Sequence, residues 1–272
     1  MKSVFLPAVC LLVLLSCRKQ PADVKEPGWD DDEQDSRSLT VMTYNVRYCT
    51  PYLVENAKPD IDAIAAVINK AKPDVVFLQE MDRNTTRSGK VDQLAELSKK
   101  TGLSFTFFGK GQDYQNGEFG CAFLSRLHLS DPLCTVYPRT AGQTNDRILI
   151  RATVSVNNRA VTVACTHLGL TQEERDAEIP AANAALSTSP HPVIFGGDLN
   201  ATPENTTITT LLGYGFTKTS TSVTWTIPSD KPNRQLDYIM YRPADKFKVI
   251  SHTVLPDRVS DHLAVVAIFE LQ

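Results

Sequence analysis

The chain has 272 residues, 42% of them hydrophobic and 22% charged, enough apolar material for one large core or two small ones. That balance excludes a disordered chain or a coiled coil. With 28 basic against 31 acidic residues the formal net charge is -3, which excludes a uniformly basic surface for a polyanion but allows a local basic rim, since phosphate contacts need only a few cations.

At the N-terminus, Lys2 precedes an apolar run, Val4 to Leu15, of signal-peptide length and too short to span a bilayer. It ends in Leu14-Leu15-Ser16-Cys17, which resembles a bacterial lipobox and implies that Cys17 is lipidated and tethers the protein to a membrane; an ordinary cleaved signal peptide is the plainer alternative. Either reading places the protein outside the cytoplasm, in the cell envelope for the first. Residues 18–38 are polar, with Pro21, Pro27 and an acidic cluster from Asp30 to Asp35, and read as a tether. The cluster lacks the spaced ligands and Gly turn of a calcium loop. Residues 39–272 then form one domain.

Strand-sized apolar runs bounded by turn formers follow at Leu39–Val46, Val75–Leu78, Phe119–Leu124, Ile148–Val156, Ala160–Thr166, Val193–Phe195, Leu236–Tyr241, Phe247–Val254 and Leu263–Phe269. Helical spacing predicts helices at Ile61–Asn69 and Val91–Lys99, an Ala-rich one at Glu173–Ser187 interrupted near Pro180, and a short one opened by Thr202-Pro203 and running to about Leu212. Asn157-Asn158 suits a tight hairpin. Strands outnumber helices and often follow one another directly, which argues for an α+β fold of mixed sheets with helices outside rather than an alternating parallel one. Cys49, Cys121, Cys134 and Cys165 show no C-x-x-C spacing; an oxidising compartment permits a disulfide, and buried free thiols are equally compatible. Internal repeats, a Gly-rich phosphate loop and Gly-x-Ser-x-Gly are all missing from the sequence.

Residues able to bind metal or move protons recur at one kind of place, the end of a strand. Asn45, Glu80, His167, and Asp198 with Asn200 each follow such a run, and Asp261-His262 precedes the last one. Carboxylate and amide oxygens are the hard ligands that Mg2+, Mn2+ or Ca2+ prefer, and hydrolysis of a phosphate ester further needs a group to orient water and donors for the phosphoryl oxygens. Taken singly, an Asp or Glu at a strand end is usually a turn residue and a lone His usually structural. Arg147, before Ile148, reads either as a substrate-phosphate contact or as a surface salt bridge. The string from Asp82 to Arg87 is either a substrate-facing loop carrying Arg83 and Arg87 or a charged turn.

In order, Thr43-Tyr44-Asn45-Val46, Leu78-Gln79-Glu80, Thr166-His167-Leu168, Gly197-Asp198-Leu199-Asn200, Leu236-Asp237-Tyr238-Ile239 and Ser260-Asp261-His262 strongly resemble the successive motifs of the endonuclease/exonuclease/phosphatase superfamily. The resemblance implies a four-layer αββα sandwich of two mixed sheets, with the site at one end. It also implies roles. Asn45, Glu80 and Asp261 look like metal- or phosphate-binding positions, Glu80 being the principal metal ligand. Asp198 would orient or deprotonate water, Asn200 would hold a phosphate oxygen, and His262, its tautomer fixed by Asp237, would face the scissile phosphate. His167 is similar to the nuclease and sphingomyelinase branches, and Glu118 resembles its acidic partner, although a solvated loop carboxylate is an equal reading of Glu118. A metal-dependent phosphoesterase acting on nucleic acid, lipid head groups or small phosphorylated molecules is the leading expectation, with a sphingomyelinase-like lipid phosphodiesterase as one alternative and a non-catalytic binding protein on the same fold as another. No protein partner is expected, and the chain reads as a monomer.

Overall fold

A computed structural model describes residues 38–272. The N-terminal apolar run, Cys17 and the tether fall outside the described residues. In chain order the elements are β1 (Ser38–Asn45), α1 (Ile61–Ala71), β2 (Val75–Arg83), α2 (Gln93–Thr101), β3 (Phe105–Tyr114), β4 (Gly117–Ser125), β5 (Ser130–Val136), β6 (Ile148–Val156), β7 (Arg159–His167), α3 (Gln172–Ser187), β8 (Val193–Asp198), α4 (Thr206–Gly213), β9 (Thr217–Lys218), β10 (Asp237–Arg242), β11 (Phe247–Val254) and β12 (Val265–Leu271), with 3-10 turns at Arg47–Cys49 and Ala244–Lys246.

The strands form two six-stranded mixed sheets, ordered β11-β12-β1-β2-β4-β3 and β5-β6-β7-β8-β10-β9. Period-two alternation decides what each face buries. On β1, Leu39 and Val41 point between the sheets, where they join Phe77, Phe123, Ile150, Val163, Ile194, Ile239 and Phe269. Met42 and Tyr44 point the other way and pack with Val76 and Leu78 under Ile64, Ile68, Leu94 and Leu97 of α1 and α2. On the far side Leu149, Phe195 and Met240 meet Ile179, Leu186, Ile208 and Leu211 of α3 and α4. Both sheets are thus apolar on both faces, and the result is the four-layer αββα sandwich. Phe77 and Phe123 sit 5.5 Å apart, centroid to centroid, in the central layer; truncating either to Ala would cost about 3–5 kcal/mol.

Each helix starts where a short polar side chain replaces a missing acceptor. Asp60 accepts from Ala63 N (2.9 Å) and Asp92 from Ala95 N (3.0 Å). Thr171 and Glu174 form a reciprocal capping box on α3. The fourth cap corrects the sequence reading: Asn205, not Thr202, receives the first-turn N–H, so α4 begins at Thr206. Pro180 does not interrupt α3 either, because the rest of the helix is held by packing and only one helical hydrogen bond is forgone.

β3, β5 and β9 escape the apolar-run criterion. β3 carries Gly109, Lys110, Gly111 and Gln112 at a sheet edge, β5 is an exposed edge strand with Asp131 and Pro132, and β9 is two residues long. The Asn157-Asn158 hairpin forms as expected, with φ of 47° and 62° and Val156 opposite Arg159. The four cysteines within the described residues are free thiols.

Candidate active site

Strand register brings the polar strand ends together. In the second sheet His167 of β7 lies beside Asp198 of β8, and Asp198 lies opposite Asp237 of β10, so three titratable groups form a row across three strands. In the first sheet Asn45 ends β1 beside Gln79 of β2. The β2–β4 pairing is broken by a bulge between Leu78 and Met81, and Glu80 within it adopts a left-handed φ of 58°. Such a bulge re-aims one side chain at a cost that packing elsewhere must offset. The segment between β11 and β12 adds Asp261 and His262.

The Asn45 amide is the hub. Its Nδ2 donates to Glu80 Oε1 (3.1 Å) and to Asp198 Oδ2 (3.0 Å), while its Oδ1 accepts from Arg47 N (3.1 Å). The reverse orientation would aim an oxygen at two carboxylates, so the network admits one arrangement. Asn45 therefore bridges the two sheets through their acidic groups. Ser260 Oγ donates to the Asn45 carbonyl (2.7 Å) and lies 3.1 Å from Asp261 Oδ1, tying the β11–β12 segment to β1. Arg47 Nε stands 3.9 Å from Asp261 Oδ2.

Asp198 faces two imidazoles: Oδ2 is 3.6 Å from His262 Nε2 and 3.4 Å from His167 Nε2. Asp198 Oδ1 accepts from Asn200 N (3.0 Å), and Asn200 Nδ2 donates to Leu168 O (2.9 Å). His262 Nδ1 is 2.8 Å from Asp237 Oδ2, whereas His167 Nδ1 is buried with no hydrogen-bond partner among the described residues.

These surroundings set the charges. Burial opposes a charged His262, but Asp237, and after it Asp198, more than offset this and push its pKa up to about 10. His167 is driven well below the usual histidine value by burial, by Arg147 and by His262. Asp198 is raised to about 6, chiefly by burial, against the pull of His262. Burial also raises Glu80, opposed in part by the Asn45 hydrogen bond.

Asp198, Asp237 and His262 offer ligand atoms within 4.8 Å of one another. A protonated imidazole whose Nδ1 is already donated to Asp237 is a poor cation ligand, so this trio reads as a hydrogen-bonded chain. Glu80 and Asp261 fit a divalent cation better. Both are hard carboxylates, Glu80 Oε2 has no protein hydrogen bond among the described residues, and Asp261 Oδ2 has only the long Arg47 contact.

Two sequence expectations change. Glu118 is not the acidic partner of His167: its carboxylate pairs with Arg83 Nε (2.6 Å) and Nη2, with Lys110 at 3.9 Å. Arg83 and Arg87 likewise build the loop. Arg87 makes two 2.8 Å bonds to buried Asp82 and lies 3.8 Å from the Tyr48 ring, and Arg83 covers Phe108. The Arg147 guanidinium, by contrast, makes no hydrogen bond or ion pair among the described residues, and its charge acts on Glu80 and His167. Ser260 and Arg47 escaped sequence reasoning. Ser260 stood inside a recognised motif, but nothing local marks Arg47.

Residues 42–262 match the Endonuclease/Exonuclease/phosphatase family. Among solved structures the chain is similar to an endonuclease/exonuclease/phosphatase protein of Beutenbergia cavernae, with 24% identity and TM-score 0.73 over 86% of this chain and 72% of that one. It is also similar to a mannosyl-6-phosphatase of Bacteroides thetaiotaomicron, with 15% identity and TM-score 0.70 over 85% of this chain and 99% of that one. For the human Nocturnin catalytic domain with bound sulfate the figures are 20% identity and TM-score 0.65, over 87% of this chain and 96% of that one. No curated protein sequence matches the chain.

Proposed function

The chain belongs to the endonuclease/exonuclease/phosphatase family, and from that premise we propose that it hydrolyses phosphate esters with a divalent cation, water attacking phosphorus in line. The observation that carries this reading is the Asn45 amide joining Glu80 and Asp198 across the two sheets, with Asp198 Oδ2 3.6 and 3.4 Å from the His262 and His167 imidazoles. Glu80 and Asp261 would hold magnesium, manganese or calcium, with Asn45 steadying Glu80. A bound cation of this kind supplies positive charge to the phosphoryl oxygens.

The chain's own groups supply the rest. Asp198, raised to about 6, is ionised at neutral pH and basic enough to orient and deprotonate water. His262, kept protonated by Asp237, donates to a phosphoryl oxygen. Asn200 spends one amide hydrogen on Leu168 O and has a second for a phosphate oxygen. Arg147 adds a cation for the substrate phosphate. His167, neutral, offers Nε2–H to the leaving oxygen.

Arg83 and Arg87 are paired with Glu118 and Asp82 and so are not free to line a track for a long polyanion, and a small phosphorylated molecule is the substrate class we favour. Leu53, Val54, Leu170 and Trp225, exposed on connecting loops, favour a lipid phosphodiester as the second reading. The test is turnover of p-nitrophenyl phosphate and its bis-ester before EDTA, after it, and after magnesium is restored, followed by sugar phosphates, sphingomyelin, DNA and RNA. Chelation should abolish activity reversibly. EDTA-resistant turnover contradicts the metal assignment, and a metal-binding chain inert on every ester is a binding protein.

A companion proposal is that Cys17 anchors the protein outside the cytoplasm. Loss of palmitate labelling in Cys17→Ser would support it, and unlabelled wild type would refute it.

A further inference from the structure

The segment that follows His167 is fastened at every peptide group. Leu168 N donates to Asp198 O (3.0 Å), and Leu168 O accepts from Asn200 Nδ2 (2.9 Å). Gly169 N donates to Glu178 Oε2 (2.7 Å), while Arg175 Nη1 donates to the carbonyls of Gly169 (3.0 Å) and Leu170 (2.8 Å). Thr171 N donates to Glu174 Oε2 (2.9 Å) in the capping box. α3 comes so close that a Cβ on Gly169 would lie 2.4 Å from that of Glu174.

Arg175 and Glu178 are 6% and 0% exposed, an unusual fate for charged residues on an outer helix. Burying a charged group costs free energy unless hydrogen bonds offset it, and these two groups direct theirs to the loop after His167. Arg175 also reaches Thr207 Oγ1 (3.2 Å) on α4, and Ile179, Ala182 and Leu186 seat α3 on the second sheet, so the grip has a rigid base. Among the described residues His167 Nδ1 has no hydrogen-bond partner and Nε2 has one long contact to Asp198, so where its backbone sits bears directly on where the ring sits.

We propose that Arg175 and Glu178 are positioning residues: by holding Gly169 from its two sides they set the His167 ring and, through Leu168, the Asn200 amide. The loop thus replaces the carboxylate that orients His262. This rests on the reading that His167 and Asn200 face the phosphate.

The experiment compares Glu178→Leu, Glu178→Gln and Arg175→Lys in the full chain, by steady-state kinetics and by 15N NMR of the histidine rings. Glu178→Leu should lower kcat roughly tenfold with KM changed less, the scale of an orienting group displaced by a fraction of an ångström. It should shift the His167 ring signals while leaving those of His262 in place. Glu178→Gln keeps the acceptor for Gly169 N and should restore both readings. Should the Leu variant not fold, Arg175→Lys, which keeps the charge and loses the two-carbonyl grip, gives the same readings at smaller size. Unmoved His167 signals in the folded variants overturn the proposal whatever the rates do. Moved signals alongside a His167→Ala enzyme as fast as wild type uphold the positioning and remove His167 from the reaction instead.

Discussion

His262 and His167 flank one carboxylate, Asp198, at similar distances of 3.6 and 3.4 Å, and the protein gives them different protonation states. His262 has a second carboxylate on its far nitrogen and stays protonated; His167 has no hydrogen-bond partner on its far nitrogen among the described residues, feels the charge of Arg147, and stays neutral. Residue type and distance to the reacting centre are nearly the same for both. What separates an acid from a neutral donor is the group one bond further out.

The largest expected effect tests the charged side. Asp237→Asn should lower kcat about 10^3- to 10^4-fold, since the amide cannot hold the imidazolium or its tautomer. A fall of less than tenfold in a folded variant would mean that His262 acts without its partner. His167→Ala, on the neutral side, should cost about 10^2-fold, because a neutral donor at the leaving oxygen contributes less than a placed cation. Equal losses at the two positions would erase the distinction between them.

Titration sharpens the comparison without turnover. In the metal-free chain NMR should find His262 deprotonating near pH 10, and His167 still neutral well below pH 6.5. Linkage gives the sign for stability. A histidine raised on folding stabilises fully below its unfolded value of about 6.5 and loses that contribution as pH rises through the folded value. The melting-temperature advantage of wild type over Asp237→Asn should therefore be greatest below about pH 6.5 and close as pH passes about 10. A gap constant from pH 6 to 10.5 rules out a charged His262. The smallest effect belongs to Arg147→Gln, expected to raise KM several-fold and to let His167 protonate at higher pH, because Arg147 helps depress it. If neither moves, Arg147 faces solvent rather than the site.

Much of the fold is readable in local pattern. The runs around Val41, Val76, Ile150, Val163 and Ile194 alternate with the strand period or are short continuous apolar stretches of strand length, and Ile61 to Ile68 follow the helix period. Where local signals were weak the reading failed in understandable ways: β3 and β5 are polar edge strands, and Asn205 took over a cap that Thr202-Pro203 imitates. Among site residues, those at strand ends were legible because a polar group breaking an apolar run stands out. Glu118 was misassigned for the converse reason, since its partner, Arg83, is its neighbour only once β2 and β4 pair.

By itself, then, the sequence determined the apolar strands, the approximate helices and the kinds of donor at the site, because periodicity and side-chain chemistry belong to each segment. Tertiary structure alone decided which imidazole carries charge, that Asn45 and Asp198 meet across 153 residues of chain, and that α3 reaches back to hold the loop after His167. Desolvation and pairing have no value until distant segments are packed together.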